Sequence, residues 1–133
     1  MEITLVPLQQ RGDERGMLVA LEEGLNVPFT IRRVYYLFAT KDNVRRGSHA
    51  HRNLRQFAVA VRGSVRIILD DGSERQEVLL DSPTQGLFLD TMTWGEMYEF
   101  SEDCVLMVLA DKLYDPLDYI RDYGEFCLLK SGN

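Results

Sequence analysis

Both histidines of this chain, His49 and His51, lie in the stretch Arg45-Arg46-Gly47-Ser48-His49-Ala50-His51-Arg52. Strand side chains alternate, so on a strand two residues two positions apart leave on the same face. Two imidazoles on one face, flanked by Arg46 and Arg52, can be a metal site or a proton-transfer site for an anionic substrate. They can also be structural, hydrogen-bonded inside a barrel. A histidine titrates near neutrality and can both remove and return a proton.

The charge pattern bears on the ligand. The net charge of -6 argues against a general nucleic-acid binder. Yet nine of the 15 Lys and Arg fall between Arg32 and Arg66, where Asp42 is the only acid. A basic stretch on an acidic protein suggests a local site for a small anion. For Arg62 and Arg66 a solvated sheet face is an equal reading. A strand over Ile31–Ala39 would put Arg33 and Tyr35 on one face and Val34 and Tyr36 on the other.

The elements that must position these residues are short. Strands are expected over 3–8, 17–22, 31–39, 56–61, 65–69, 75–80, 87–90, 93–100 and 104–109, with the histidine segment itself as one more. Turns fall at Arg11–Gly16, Arg62–Ser64, Asp70–Ser73 and Ser82–Gly86, and Lys41–Arg46 reads as a polar loop. Such spacing is that of an all-β sandwich or barrel. Pro116 after Asp115 predicts a short C-terminal helix running through Asp122. At 133 residues one domain, 1–133, is expected. No apolar run is long enough to span a bilayer and no signal peptide is evident, so no membrane partner is expected. With only two cysteines, Cys104 inside an apolar run, a reduced cytoplasmic protein is the reading.

Gly47, His49, His51 and Gly63, with Gly86 further on, resemble the cupin pattern, which implies a jelly-roll barrel. In metal-binding cupins the two histidines, a Glu and a later His are the ligands. Here those slots hold Gln56 and Met97, and there is no third histidine. Stable sites use three or four protein ligands, so no metal and no cofactor are expected. What stays open is general acid–base chemistry, such as isomerisation of an α-hydroxyketone through an enediol. That needs a base near carbon, an acid near oxygen and donors for the enediolate.

A closer resemblance covers nearly the whole chain. It runs through Arg15-Gly16-x-Leu18, Arg33-Val34-Tyr35-Tyr36, Arg46-Gly47-x-His49-Ala50-His51, Leu69-Asp70-Asp71-Gly72, Trp94-x-Glu96-Met97 and Tyr119-Ile120-Arg121-x-Tyr123. These are similar to the cupin sugar 3,4-ketoisomerases of the WxcM-like group. The resemblance implies a metal-free enzyme that moves the keto group of dTDP-4-oxo-6-deoxy-glucose from C-4 to C-3, in deoxyamino-sugar biosynthesis. It implies a homodimer with residues about 1–25 exchanged between subunits. It maps the catalytic pair onto His49 and His51, and pocket positions onto Arg33, Tyr35 and Arg46. In an exchanged dimer the turn carrying Arg15 would reach the neighbour's pocket. The chain departs from the family at Arg52, where Lys is frequent, and at Gly95, where His is frequent. Trp94 is read either as a stacking surface for thymine or as core, and Glu96 as a surface acid or a partner for a histidine. Tyr114, Tyr119 and Tyr123 are read as packing for the C-terminal segment. The alternatives are a dTDP-sugar epimerase, a non-catalytic nucleotide-sugar-binding cupin and a metal-dependent dioxygenase.

Overall fold

The computed structural model describes residues 1–41 and 43–132, so Asp42, within the expected Lys41–Arg46 loop, lies outside the described residues. Two five-stranded antiparallel sheets face each other. The first contains β1 (Leu5–Pro7), β4 (Arg33–Leu37), β6 (Gln56–Arg62), β9 (Gln85–Leu89) and β11 (Val105–Ala110), in the order β1-β9-β6-β11-β4. The second contains β5 (Arg46–His51), β7 (Val65–Asp70), β8 (Arg75–Leu80), β10 (Trp94–Tyr98) and β12 (Tyr119–Ile120), in the order β12-β5-β10-β7-β8. A separate hairpin joins β2 (Gln10–Asp13) to β3 (Gly16–Val19). This is the expected all-β cupin jelly roll with a short C-terminal helix.

Alternation along each strand explains the layers. Ala58 and Ala60 of β6 face the second sheet and pack with Ile67, Leu69, Leu106 and Val108. Their neighbours Phe57 and Val59 face outward, but Leu8, Val27 and Phe29 of the N-terminal segment cover them. Both faces of β6 are therefore buried, and Phe57–Ala60 is continuously apolar. Gly86 of β9 lies flat against the Phe57 ring; a Cβ there would sit 2.1 Å from ring carbons. On β5, Ala50 faces outward under the C-terminal helix with Trp94, Ile120 and Phe126, and His49 and His51 face in.

The C-terminal expectation needs correction. Asp115 and Pro116 do start a helical turn, and the Asp115 carboxylate accepts from Leu117 N. But the turn is a single 3-10 turn, Pro116–Asp118, because Tyr119 and Ile120 leave it to pair with His51 and Ala50. The true helix, α1, is Tyr123–Ser131, capped by Asp122 through Glu125 N and closed at Gly132. The expected Arg11–Gly16 turn is also narrower: Arg11–Asp13 pair with Gly16–Leu18, leaving Glu14 and Arg15 at the hairpin tip.

Candidate active site

Between the sheets lies a cavity of about 440 Å³. Arg33 and Tyr35 enter it from β4, Gln56 from β6, Arg46, His49 and His51 from β5, Met97 from β10 and Tyr119 from β12. Ala58, Ile67, Leu69, Leu106 and Val108 close its floor. A bulge sets the histidines' approach. Gly95 pairs with His49 and Glu96 with Gly47, so Ser48 is an extra residue in β5. Gly47 and Ser48 both take left-handed backbone angles, φ +81° and +58°. A Cβ on Gly47 would press on Gly95 O at 3.0 Å, so the glycine is needed there.

The two imidazoles stand edge to face, with ring centroids 4.9 Å apart. His49 Nδ1 lies 3.1 Å from Gly47 O, and His51 Nδ1 lies 3.1 Å from Asp118 Oδ2. A carbonyl and a carboxylate can only accept, so each ring donates from Nδ1 and keeps its lone pair on Nε2. His51 Nε2 is buried with no hydrogen-bond partner among the described residues. Tyr119 lies against both rings, at 4.8 and 4.4 Å, and Arg121 sits over the Tyr119 ring at 4.2 Å. Burial, then the neighbouring His51, then Arg121 pull the His49 pKa down to about 4. Burial also lowers that of His51, and Asp118 opposes the shift. Both rings are neutral bases at neutral pH.

Opposite stands the Tyr35 phenol, pushed up to about 12 chiefly by burial. Its oxygen accepts from Gln56 Nε2 at 2.7 Å. The phenol proton is thereby left to donate into the cavity. The Arg33 guanidinium lies over the Tyr35 ring at 5.1 Å, and its Nε is buried without a partner among the described residues. Most of the basic stretch is neutralised by acids from elsewhere: Arg45 by Glu96, Arg52 by Glu125, Arg55 by Asp111, Arg62 by Asp103 and Arg66 by Glu77 and Glu99. Arg33 and Arg46 are the arginines of that stretch that line the cavity.

The structure thus brings His49, His51, Arg33, Tyr35 and Arg46 together. It does not bring Trp94 or Arg15 to this cavity. Trp94 faces the opposite side of β10 from Gly95 and is 4% exposed. Its indole N–H donates to Glu96, and its ring packs on Tyr123 and Phe126. The stacking expectation is therefore corrected: Trp94 is core. Glu96 holds Trp94, Arg45 and Arg75 and orients no histidine. Arg15 pairs with Asp13 at the exposed hairpin tip. The sequence reading missed Asp118 and misread Tyr119 as packing only; the pairing of β12 with β5 carries both to the histidines.

The cavity does not suit the metal that cupin ligand positions imply. Gln56 and Met97 line it in place of Glu and His, and Gln56 already serves Tyr35. Among the described residues no three His, Cys, Asp or Glu side chains converge on a common point.

Residues 1–131 match the family model described as WxcM-like, C-terminal, also designated FdtA. The chain belongs to this family. It is 52% identical over 126 residues to the TDP-4-oxo-6-deoxy-alpha-D-glucose-3,4-oxoisomerase of Aneurinibacillus thermoaerophilus, covering 95% of this chain and 91% of that one. The TDP-fucose-3,4-ketoisomerase WlaRA of Campylobacter jejuni superposes with TM-score 0.95 at 37% identity, covering 99% and 98% of the two chains. A histidine-to-asparagine variant of the 3,4-ketoisomerase QdtA of Thermoanaerobacterium thermosaccharolyticum, in complex with TDP-4-keto-6-deoxyglucose, superposes with TM-score 0.95 at 35% identity over 98% and 94%.

Proposed function

We propose that this WxcM-like enzyme is a sugar-nucleotide 3,4-ketoisomerase acting on TDP-4-oxo-6-deoxy-glucose, without a metal. The observation that carries the reading is the pair of neutral imidazoles, each anchored through Nδ1, facing an un-ionised phenol across one cavity. In the first half of the reaction one imidazole takes the proton from C-3, and the C-4 carbonyl oxygen becomes an enediol hydroxyl. In the second half a proton is added at C-4, and the C-3 hydroxyl gives up its own. Substrate and product are isomers, so no oxidant or reductant is consumed. Tyr35 donates to the oxygen that gains charge, and Arg33 and Arg46 supply positive charge beside it. The arginines also suit the diphosphate.

An epimerase would use the same first step and return the proton to the carbon it left. The close relatives named as 3,4-isomerases favour transfer to the neighbouring carbon. The test is incubation with TDP-4-oxo-6-deoxy-glucose in deuterated buffer with excess chelator. NMR should show the 3-oxo isomer, with deuterium at a ring carbon. No isomer and no deuterium would reject the reading. His49→Asn should fold and lose turnover; full activity in that variant would remove His49 from the chemistry.

The working unit is a homodimer; of the residues about 1–25 expected to exchange, β1 stays paired with β9 of its own chain, and the β2–β3 hairpin is the part that crosses to the partner. The β2–β3 hairpin exposes Met17 and Leu18, and edge strand β4 exposes Val34 and Tyr36 with Phe38 just beyond. These apolar surfaces need cover, and the exchange would carry Arg15 toward the partner's cavity. Sedimentation should give twice the chain mass, and a monomer would exclude the exchange. A reducing, cytoplasmic setting suits the two free cysteines.

A further inference from the structure

We infer that Asp118 is the positioning residue of the proton-transfer site, acting through His51 to fix which ring nitrogen carries the proton. The inference rests on the isomerase reading above and adds a role for the C-terminal segment. Three observations place Asp118. Its Oδ2 lies 3.1 Å from His51 Nδ1, and its Oδ1 accepts from Asn53 N at 2.8 Å. Its own carbonyl accepts from Arg52 N at 3.0 Å. It is itself buried, at the end of the 3-10 turn that Asp115 caps, and Tyr119 next to it pairs with His51. The residue is thus clamped to the two backbone N–H groups that directly follow the histidine it serves.

A carboxylate in that place does two things. It accepts from Nδ1, so the lone pair on Nε2 is the free one, and His51 Nε2 is the buried ring nitrogen without a partner among the described residues. It also supplies the negative charge that an imidazolium needs once a substrate proton arrives. The other groups facing His51 do neither. His49 is a second neutral base, Tyr119 covers the ring, and Arg33 and Arg121 disfavour a positive ring. His49 has only the Gly47 carbonyl on its Nδ1. The two imidazoles are therefore not equivalent: His51 is the one equipped to hold a transferred proton.

Asp118→Asn tests this with little change of shape. The amide oxygen can still accept from Asn53 N, which leaves the amide NH₂ facing His51 Nδ1. Nδ1 must then accept, and the ring proton moves to Nε2, blocking the lone pair. We expect kcat to fall about 10²–10⁴-fold, with KM and TDP affinity within about threefold of wild type. Nitrogen-15 NMR of histidine-labelled protein should show His51 protonated on Nδ1 in wild type and on Nε2 in the variant. Its titration midpoint should drop in the variant, since the imidazolium loses its counter-charge. A folded variant with wild-type kcat overturns the inference, as does a wild-type spectrum with the His51 proton on Nε2. If Asp118→Asn fails to fold, the wild-type spectrum decides alone. Because tautomer and TDP affinity do not depend on turnover, a wild-type protein inert toward the sugar would sink the isomerase reading separately.

Discussion

Tyr35→Phe separates what the phenol does for catalysis from what it does for the fold. The side chain stays aromatic and the Arg33 stack survives, but two hydrogen bonds go. One is the donor proposed to serve the reacting oxygen. Losing such a donor costs about 10²–10³ in kcat, or roughly 3–4 kcal/mol of transition-state stabilisation. The other is the Gln56 Nε2 bond, 2.7 Å in length. Gln56 is only 8% exposed, so its amide would be stranded. A stranded buried donor costs about 1–3 kcal/mol. For a domain of this size each kcal/mol moves Tm by roughly 3–5 °C, so Tm should fall by about 3–15 °C. The double variant Tyr35→Phe with Gln56→Leu discriminates. With both polar partners gone the pair is apolar, and stability should largely return. Activity should not. The measurements are steady-state kcat by NMR or coupled assay, with calorimetric Tm on the same samples. The reasoning is refuted if Tyr35→Phe keeps kcat within threefold of wild type. It is equally refuted if the double variant regains activity along with its Tm, since the phenol would then have acted only through the fold.

The ionisation state of the histidines sets a pH dependence. His49 is held at about 4 against an ordinary 6.5, so between these values the unfolded chain binds a proton that the folded chain refuses. Stability should be full above about pH 6.5 and decline toward pH 4, by on the order of 2–3 kcal/mol. Urea unfolding at several pH values checks this, and His49→Asn should flatten the slope. Turnover should hold through pH 6.5 and fall only below it, because burial lowers both imidazoles from their ordinary value; a drop centred on 6.5 would contradict buried, neutral imidazoles. Gly86→Ala drives a methyl into the Phe57 ring, so Tm should fall by the equivalent of about 1–3 kcal/mol, and an unchanged Tm would contradict that contact. Phe126→Ala empties the space between α1 and Trp94 and should cost about 3–5 kcal/mol in denaturant unfolding. Loss of α1 packing should also loosen the neighbouring β12–β5 pairing, seen as faster hydrogen exchange at Ile120.

What the sequence made legible follows from which forces are local. Turn residues and alternating strands depend on neighbours in the chain, so the jelly roll could be read from Asp71-Gly72, Ser82-Pro83 and the apolar runs of β6 and β11. The histidine pair was legible for the same reason, since a two-residue spacing survives in any strand. Signals that compete were misread. Pro116 does open a helical turn, but the pairing of Tyr119 with His51, across 68 positions, ends it after three residues. Asp122 and Glu125 in fact form the stronger start signal, a cap followed three residues later by an acid, and Gly132 marks the end. Trp94 was ambiguous because its role depends on which face of β10 looks inward. The register with β7 decides that, since Gly95 and Met97 pair with the inward Leu69 and Ile67 while Trp94 pairs with Asp70, and such a register is not written in β10 alone.

The same dependence explains why the site's chemistry is split between near and distant parts of the chain. A single strand, β5, can place two imidazoles side by side, but it cannot make them different. His49 is tied to a carbonyl two residues away, which any strand with this bulge would offer. His51 is tied to a carboxylate 67 residues on, which only the folded C-terminal segment delivers. That inequality gives the proton taken from one carbon a preferred resting place before it is returned to the neighbouring carbon. Tyr35 gets its orientation in the same way, from Gln56 on a strand 21 residues along. Gln56 stands where a metal-binding cupin would carry a carboxylate. The exchange of an anionic ligand for a neutral amide removes a metal donor and, in the same step, leaves the neighbouring phenol with its proton free. The Gln56 position therefore contributes both to the poor metal donor set, alongside Met97, and to keeping an acid beside the histidines.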